Sequence, residues 1–153
     1  MAIGGGTWGD GEIKLWNLAS DKAPITLAGP AKMVFGVAFS PDGGTLASAD
    51  WDGGVWFWDV ANGRQRLALD AHASGVLSIA FAPDGKTLAS GSADGTVKLW
   101  HVPTGDELAT LKAGAAIYSV AFLPDGDTLA AGGTDKSVTL WHVNAEKEVL
   151  RAR

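Results

Sequence analysis

Apolar residues in this chain fall into short runs of three to six, broken by Gly, Pro and Asp, and no run has the three-to-four spacing of an amphipathic helix. Four runs end in Trp: Ile13-Lys14-Leu15-Trp16, Val55-Trp56-Phe57-Trp58, Val97-Lys98-Leu99-Trp100 and Val138-Thr139-Leu140-Trp141. The spacings between these Trp residues are 42, 42 and 41. Such regularity marks a repeat in which each unit is one small sheet.

One repeat reads as four strands. In the third, Val76 to Phe81 is an apolar strand, Thr87 to Gly91 a second and Val97 to Val102 a third, while Arg66 to Asp70 is the outer strand of the unit before. Ala82-Pro83-Asp84-Gly85 separates the first two and recurs as Ser40-Pro41-Asp42-Gly43 and Leu123-Pro124-Asp125-Gly126. In these turns Pro pre-sets φ and Gly accepts the positive φ that closes the hairpin. Asp10-Gly11, Asp52-Gly53, Asp94-Gly95 and Asp135-Lys136 mark the next turn, each Asp six residues before its Trp, which fixes the register of the third strand. The first strands alternate large and small: Phe35, Val37 and Phe39 against Gly36 and Ala38; Leu77, Ile79 and Phe81 against Ser78 and Ala80; Tyr118, Val120 and Phe122 against Ser119 and Ala121. Small residues along one face suit strands that converge on a central axis. An all-β fold of propeller blades follows, each a four-stranded antiparallel meander.

The chain resembles the WD-repeat (Trp-Asp repeat) β-propeller family over essentially its whole length. The strand-ending Trp, the Ser-Pro-Asp-Gly type of turn and the Asp six before the Trp carry the resemblance, although the Asp after the Trp occurs only at Asp59. The resemblance implies a buried hydrogen-bonded tetrad of His72, Ser90, Asp94 and Trp100 in the third blade. The second blade keeps Ser48, Asp52 and Trp58 but has Pro30 in the His position, and the fourth keeps Asp135 and Trp141 but has Gly114 and Ala131. A half-satisfied polar network costs more than a complete or absent one, so the second and fourth blades are expected to be the less stable.

The expected blades span 1–29 (partial), 30–71, 72–113 and 114–153, about 3.75 in all. Aligning Met1 to Gly5 with Leu88 to Ser92 starts the chain inside a second strand, so 15 strands are expected. Two copies would bring 30, between the 28 and 32 of rings with roughly seven or eight blades. The leading expectation is part of a longer propeller; the alternative is a half-propeller whose homodimer closes the ring.

Composition narrows function mainly by exclusion. The formal net charge is -5, with the 12 Lys and Arg scattered over all repeats, which opposes phosphate-backbone binding. No apolar stretch approaches membrane-spanning length, so neither nucleic acid nor membrane is an expected partner, and a cytoplasmic location is expected. With no Cys there is no thiol nucleophile or thiolate metal site. His101 and His142 follow Trp in different blades and diverge, the Asp ring reads as turn chemistry, and Gly4-Gly5-Gly6 lacks the Lys of a phosphate loop. No cofactor, metal or catalytic residue is expected.

In the family the residue before the turn Asp, and those opening the inner strand, lie on the face that usually binds partners. The resemblance thus assigns Gly9, Trp51, Ala93 and Thr134, with Met33, Phe35, Gly75, Leu77 and Tyr118, to one face. Trp51 stands out as a large aromatic with Met nearby, the composition of interface hot spots, and Trp8 sits in a connection about three residues longer than its counterparts. The competing reading is that both fill gaps between blades. Trp56 aligns with Lys14, Lys98 and Thr139 and is expected to be exposed or covered by another element. The expected function is a non-catalytic scaffold binding a protein or peptide through Trp51, Met33, Phe35, Leu77, Tyr118, Thr134 and Trp8. Alternatives are an accessory propeller segment of a multidomain regulator or enzyme, and a half-propeller whose main property is homodimerisation.

Overall fold

Each Pro-Asp-Gly turn closes on itself in the computed structural model, which describes residues 2–7, 10–29, 32–143 and 149–152. The Gly43 amide donates to Ser40 O (2.8 Å), Gly85 to Ala82 O (2.9 Å) and Gly126 to Leu123 O (3.0 Å), with φ of 72°, 69° and 77° at the three glycines. The strands form four antiparallel sheets, three of which contain one of these hairpins, and no helix occurs among the described residues. The first sheet comprises β1 (Ala2–Thr7), β2 (Asp10–Leu15) and β3 (Ile25–Leu27). The second holds β4 (Val34–Phe39), β5 (Thr45–Asp50), β6 (Gly54–Asp59) and β7 (Gln65–Asp70), and the third β8 (Val76–Phe81), β9 (Thr87–Ser92), β10 (Thr96–His101) and β11 (Glu107–Lys112). The fourth runs through β12 (Ile117–Phe122), β13 (Thr128–Gly133), β14 (Val138–Val143) and β15 (Val149–Ala152). The blade fold expected from the repeat is the fold observed. Trp8, Gly9 and Pro30, singled out above, lie outside the described residues.

Alternation along the third strand of each blade creates two flanks. In β10, Val97 and Leu99 point toward the fourth blade and pack with Ile117, Val120, Leu129 and Trp141, while Trp100 points the other way into Ala47, Ala49, Val55 and Phe57. The same junction joins the first blade to the second, where Ile13, Leu15 and Leu27 meet Val34, Leu46 and Trp58. Each of the first three blades therefore buries an aliphatic row under the Trp flank of its successor. Trp16 departs from the expected equivalence: it is 42 % exposed, whereas Trp58, Trp100 and Trp141 are at most 5 % exposed. The small faces of the inner strands serve the same junctions. Ala38 packs against the second-to-third cluster and Ala80 against the third-to-fourth.

The strict alternation read along the inner strands fails at one position in each. Register slips between Val34 and Gly36, between Val76 and Ser78, and between Ile117 and Ser119, leaving Phe35, Leu77 and Tyr118 as bulge residues. A bulge adds a residue and turns its side chain out of the pleat, so these three do not share a face with Val37, Ile79 and Val120.

The turn between second and third strands also couples blades. Gly53 O accepts the Ala71 and His72 amides (3.0 Å each), and Gly95 O accepts those of Ala113 and Gly114 (3.0 and 3.3 Å). Gly53 has φ 93°, and a Cβ there would lie 2.2 Å from His72 O. The equivalent Gly95, at φ 85°, has no such neighbour nearer than 3.5 Å, and the fourth blade holds Lys136 at φ 64° instead. A side chain at positive φ costs about 1 kcal/mol or more, and a backbone collision adds to it. Urea titration should show Gly53→Ala destabilised by roughly 2–3 kcal/mol, Gly95→Ala by about 1 kcal/mol, and Lys136→Gly stabilised by up to about 1 kcal/mol.

Candidate functional site

Two arrangements of side chains stand apart from the apolar packing between blades: a buried polar chain inside the third blade, and an aromatic cluster where the bulges open. The structure brings His72, Ser90, Asp94 and Trp100 together. The Trp100 indole donates to Ser90 Oγ (2.8 Å), Ser90 Oγ lies 2.7 Å from His72 Nε2, and His72 Nδ1 lies 3.2 Å from Asp94 Oδ2. Asp94 Oδ1 accepts the Thr96 amide (2.9 Å) and hydroxyl (2.6 Å). With the indole proton occupying one Ser90 lone pair, the consistent assignment has Ser90 donating to Nε2 and Nδ1–H donating to Asp94.

Ser90, His72 and Asp94 thus stand in the order of a nucleophile, base and acid. Ser90 is wholly buried and capped by an indole, so no substrate reaches it and the chain of bonds is structural. Burial pushes the His72 imidazole below its ordinary 6.5, outweighing the raising effect of Asp94. Desolvation pulls Asp94 upward, yet the Thr96 hydrogen bonds, with help from His72 and the Ala73 amide, leave its carboxyl below 3.8.

The second blade builds a different polar layer. The Trp58 indole donates to Ser48 Oγ (3.0 Å), as the repeat implies, but Asp52 does not join it: Asp52 is exposed, with Lys32 Nζ 3.9 Å away. Buried Asp50 takes over. Its Oδ1 accepts the Asp52 and Gly54 amides (2.9 and 2.8 Å) and its Oδ2 accepts the Trp56 indole (2.7 Å). Trp56, expected at the surface or under another element, is half-buried and stacked on Trp58, with centroids 6.1 Å apart and planes at 15°. The carboxylate at Asp50, absent from Ser92 and Gly133 at the equivalent positions, converts an outward position into a bonded one. The second blade's network is therefore satisfied by other partners, not half-satisfied. In the fourth blade Ala131 offers Trp141 no hydroxyl, and Asp135 instead accepts the Ser137 amide (3.1 Å) and hydroxyl (2.7 Å).

Outside this layer, the bulges place Phe35, Leu77 and Tyr118 at the same end of their blades. Trp51, the residue before the second turn, donates its amide to Met33 O (3.0 Å), just as Ala93 bonds Gly75 O and Thr134 bonds Ala116 O. Its ring packs against Phe35 at 5.4 Å and 37°. The ring also lies over the third blade, where a Cβ on Gly75 would come within 2.9 Å of Trp51 Cε3. Trp51 is 46 %, Phe35 43 % and Tyr118 63 % exposed; Leu77 and Met33 are partly covered and Thr134 is exposed. The structure thus joins Trp51, Phe35 and Met33 directly, and sets Leu77, Tyr118 and Thr134 at equivalent points of the next two blades. No group of acidic, His or Cys side chains suited to a metal ion occurs among the described residues.

The sequence profile of the "WD domain, G-beta repeat" family matches residues 22–59, 63–101 and 105–142. The chain belongs to the WD-repeat family. It is similar to a solved structure described as the crystal structure of RRP9 WD40 repeats, at 28 % identity and a TM-score of 0.77 over 81 % of this chain. The match takes in 39 % of that structure's chain, so this chain spans about two-fifths of it. No curated protein sequence matches the chain. WD repeats generally act as scaffolds for protein–protein interaction, and their propellers are generally non-catalytic.

The polar chain carries a pH signature. The depressed His72 value means the unfolded chain binds the extra proton first, so its stabilisation is complete above 6.5 and declines as pH falls below it. Asp94 acts in the same direction, its contribution vanishing only as pH falls below 3.8. The melting temperature should therefore drop between pH 7.5 and 5.5, and His72→Gln should flatten that drop. Ser90→Ala, which strands the Trp100 indole, should cost about 1–3 kcal/mol by urea unfolding.

Proposed function

We propose that the chain is a non-catalytic scaffold whose bulge-bearing face captures a protein or peptide, with Trp51 and Phe35 as the anchor and Met33, Leu77, Tyr118 and Thr134 around it. The observation that carries the reading is the exposed Phe35 and Trp51 pair. Two large rings packed at a tilt and half in water, on a surface built from backbone-fixed turns, lose little conformational entropy on binding and offer much apolar area. Bulges at Phe35, Leu77 and Tyr118 repeat the device in three successive blades. A tilted aromatic pair framed by half-buried Met33 suits an extended segment with one bulky apolar side chain. The buried Ser90 supports the absence of catalysis by the tetrad.

A second reading, an accessory segment of a longer propeller protein, is favoured by the two-fifths coverage of the RRP9 WD40 structure. The two are compatible, because the same face would serve in either setting. A cytoplasmic setting is part of the proposal.

Peptides selected from a random display library on the intact protein test the assignment. They should bind Trp51→Ala and Tyr118→Ala at least about tenfold more weakly, a loss of about 1.4 kcal/mol or more, with melting temperature nearly unchanged. Selected peptides that bind both variants as well as the parent would contradict it, as would a Trp51→Ala protein that unfolds by several kcal/mol while its folded fraction binds normally.

A further inference from the structure

The flank of the second blade that faces the first carries a cavity of about 470 Å³, and strand pairing sets the residues around it. Across β6 and β7, Trp56 stands opposite Ala68 and Gly54 opposite Asp70, so Trp56 and Asp70 leave the same flank in successive rows. Gly54 puts no side chain between them, and Asp50 uses that room: a Cβ on Gly54 would fall 2.5 Å from Asp50 Oδ2 and 2.8 Å from Trp56 Nε1. Trp56 stacks on Trp58 and shows the rest of its ring to the cavity, which Asp52 and Lys32 also line. Three carboxylates thus stand around an indole with one ammonium among them.

The third blade fills the same flank with its own cation. Lys98, in the Trp56 position, holds its ammonium 5.6 Å from the Trp100 ring centroid and 2.6 Å from Glu107 Oε2, and Lys112 stands where the second blade has Asp70. A cation held between a ring and a carboxylate is therefore a contact this flank already makes within the chain. The second blade keeps the ring and the carboxylates and lacks the cation. Lys32 Nζ approaches Asp52 at 3.9 Å, while Asp70 has no hydrogen bond or ion pair among the described residues. Asp50 is already held by the Asp52 and Gly54 amides and the Trp56 indole, and the carboxylates do not converge as a metal ion would require. The arrangement suits an organic cation.

We propose that this cavity receives an arginine side chain of a protein partner, its guanidinium lying against the Trp56 ring and donating to Asp70. A planar, weakly hydrated guanidinium stacks on an indole and matches a carboxylate at the same time, which a compact ammonium does less well. The cavity opens broadly to solvent, so a free cation would keep much of its water there, whereas a side chain delivered by a docked chain arrives with the surface that covers it. The cavity lies on the first-blade side of the second blade, whereas Trp51 leans over Gly75 of the third, so it is separate from the anchor proposed above.

The test is a titration of the full chain at low ionic strength with a short peptide of Gly and Ser carrying one central Arg, followed at the Trp56 indole N–H resonance. The resonance should move and saturate, and the citrulline counterpart, of the same shape without the charge, should bind at least about fivefold more weakly. Asp70→Asn, at an exposed position, should weaken the arginine peptide about three- to tenfold with the melting temperature unchanged. Should that variant fail to fold, Asp70→Ser takes its place. Trp51→Ala should bind the peptide as the parent does. A resonance that stays fixed, an equal response to arginine and citrulline, or an affinity untouched at Asp70 would overturn the proposal. A loss in Trp51→Ala would overturn it by placing the cation on the bulge face, and N-acetyl-arginine amide binding as tightly as the peptide would overturn the protein partner as its source.

Discussion

Everything in this fold depends on one contact made repeatedly: the aliphatic row of a third strand lying beneath the Trp flank of the next blade. A four-stranded meander has two faces and cannot bury either alone, so single blades have no core of their own. Stacking solves this. Full burial of one Val, Leu or Phe side chain is worth about 1.5–3 kcal/mol, and every internal junction buries two such residues on the third strand along with inner- and outer-strand partners. Stability is thus a property of neighbours.

Polar layers are laid over that contact and differ from blade to blade. The third blade closes a chain from indole to carboxylate through a neutral His72, while the second reaches the same end, a bonded indole and a fixed turn, with Ser48 and Asp50 holding two stacked Trp rings. The junction constrains only that the Trp be buried with its N–H satisfied; which residues satisfy it is free to vary. At the rim the same logic inverts. Bulges release Phe35, Leu77 and Tyr118 from the pleat because the ladder there has already tied its backbone, so large side chains can be shown to solvent without loosening the sheet.

Period, turn chemistry and strand alternation made the sheets legible in the chain, since each is a local rule repeated at fixed spacing. The division into one three-stranded and three four-stranded sheets follows from those rules. What escaped depended on contacts between distant residues. Asp50 bonding Trp56 six residues on is invisible in a repeat alignment that expects Asp52, and the polar equivalents of Trp56 place it at the surface or under another element. The bulges did leave a trace: Val34-Phe35, Val76-Leu77 and Ile117-Tyr118 are adjacent apolar pairs in otherwise alternating strands, as an inserted residue requires. The exposure of Trp16 and Val138 left none, because Trp16 is spelled like Trp58 and Val138 like Val97. Exposure there reflects what lies beside a blade and not the blade's own residues.

Junction burial as the source of stability is tested most directly by one matched comparison: the urea unfolding free energies of Leu99→Ala and Leu140→Ala, at a concentration where light scattering shows the single chain. The two substitutions are identical in chemistry and in repeat position. If the junctions hold the fold, Leu99→Ala costs about 2–4 kcal/mol and Leu140→Ala less than about 0.5 kcal/mol. Equal losses would place stability within individual blades and contradict the dependence on their neighbours.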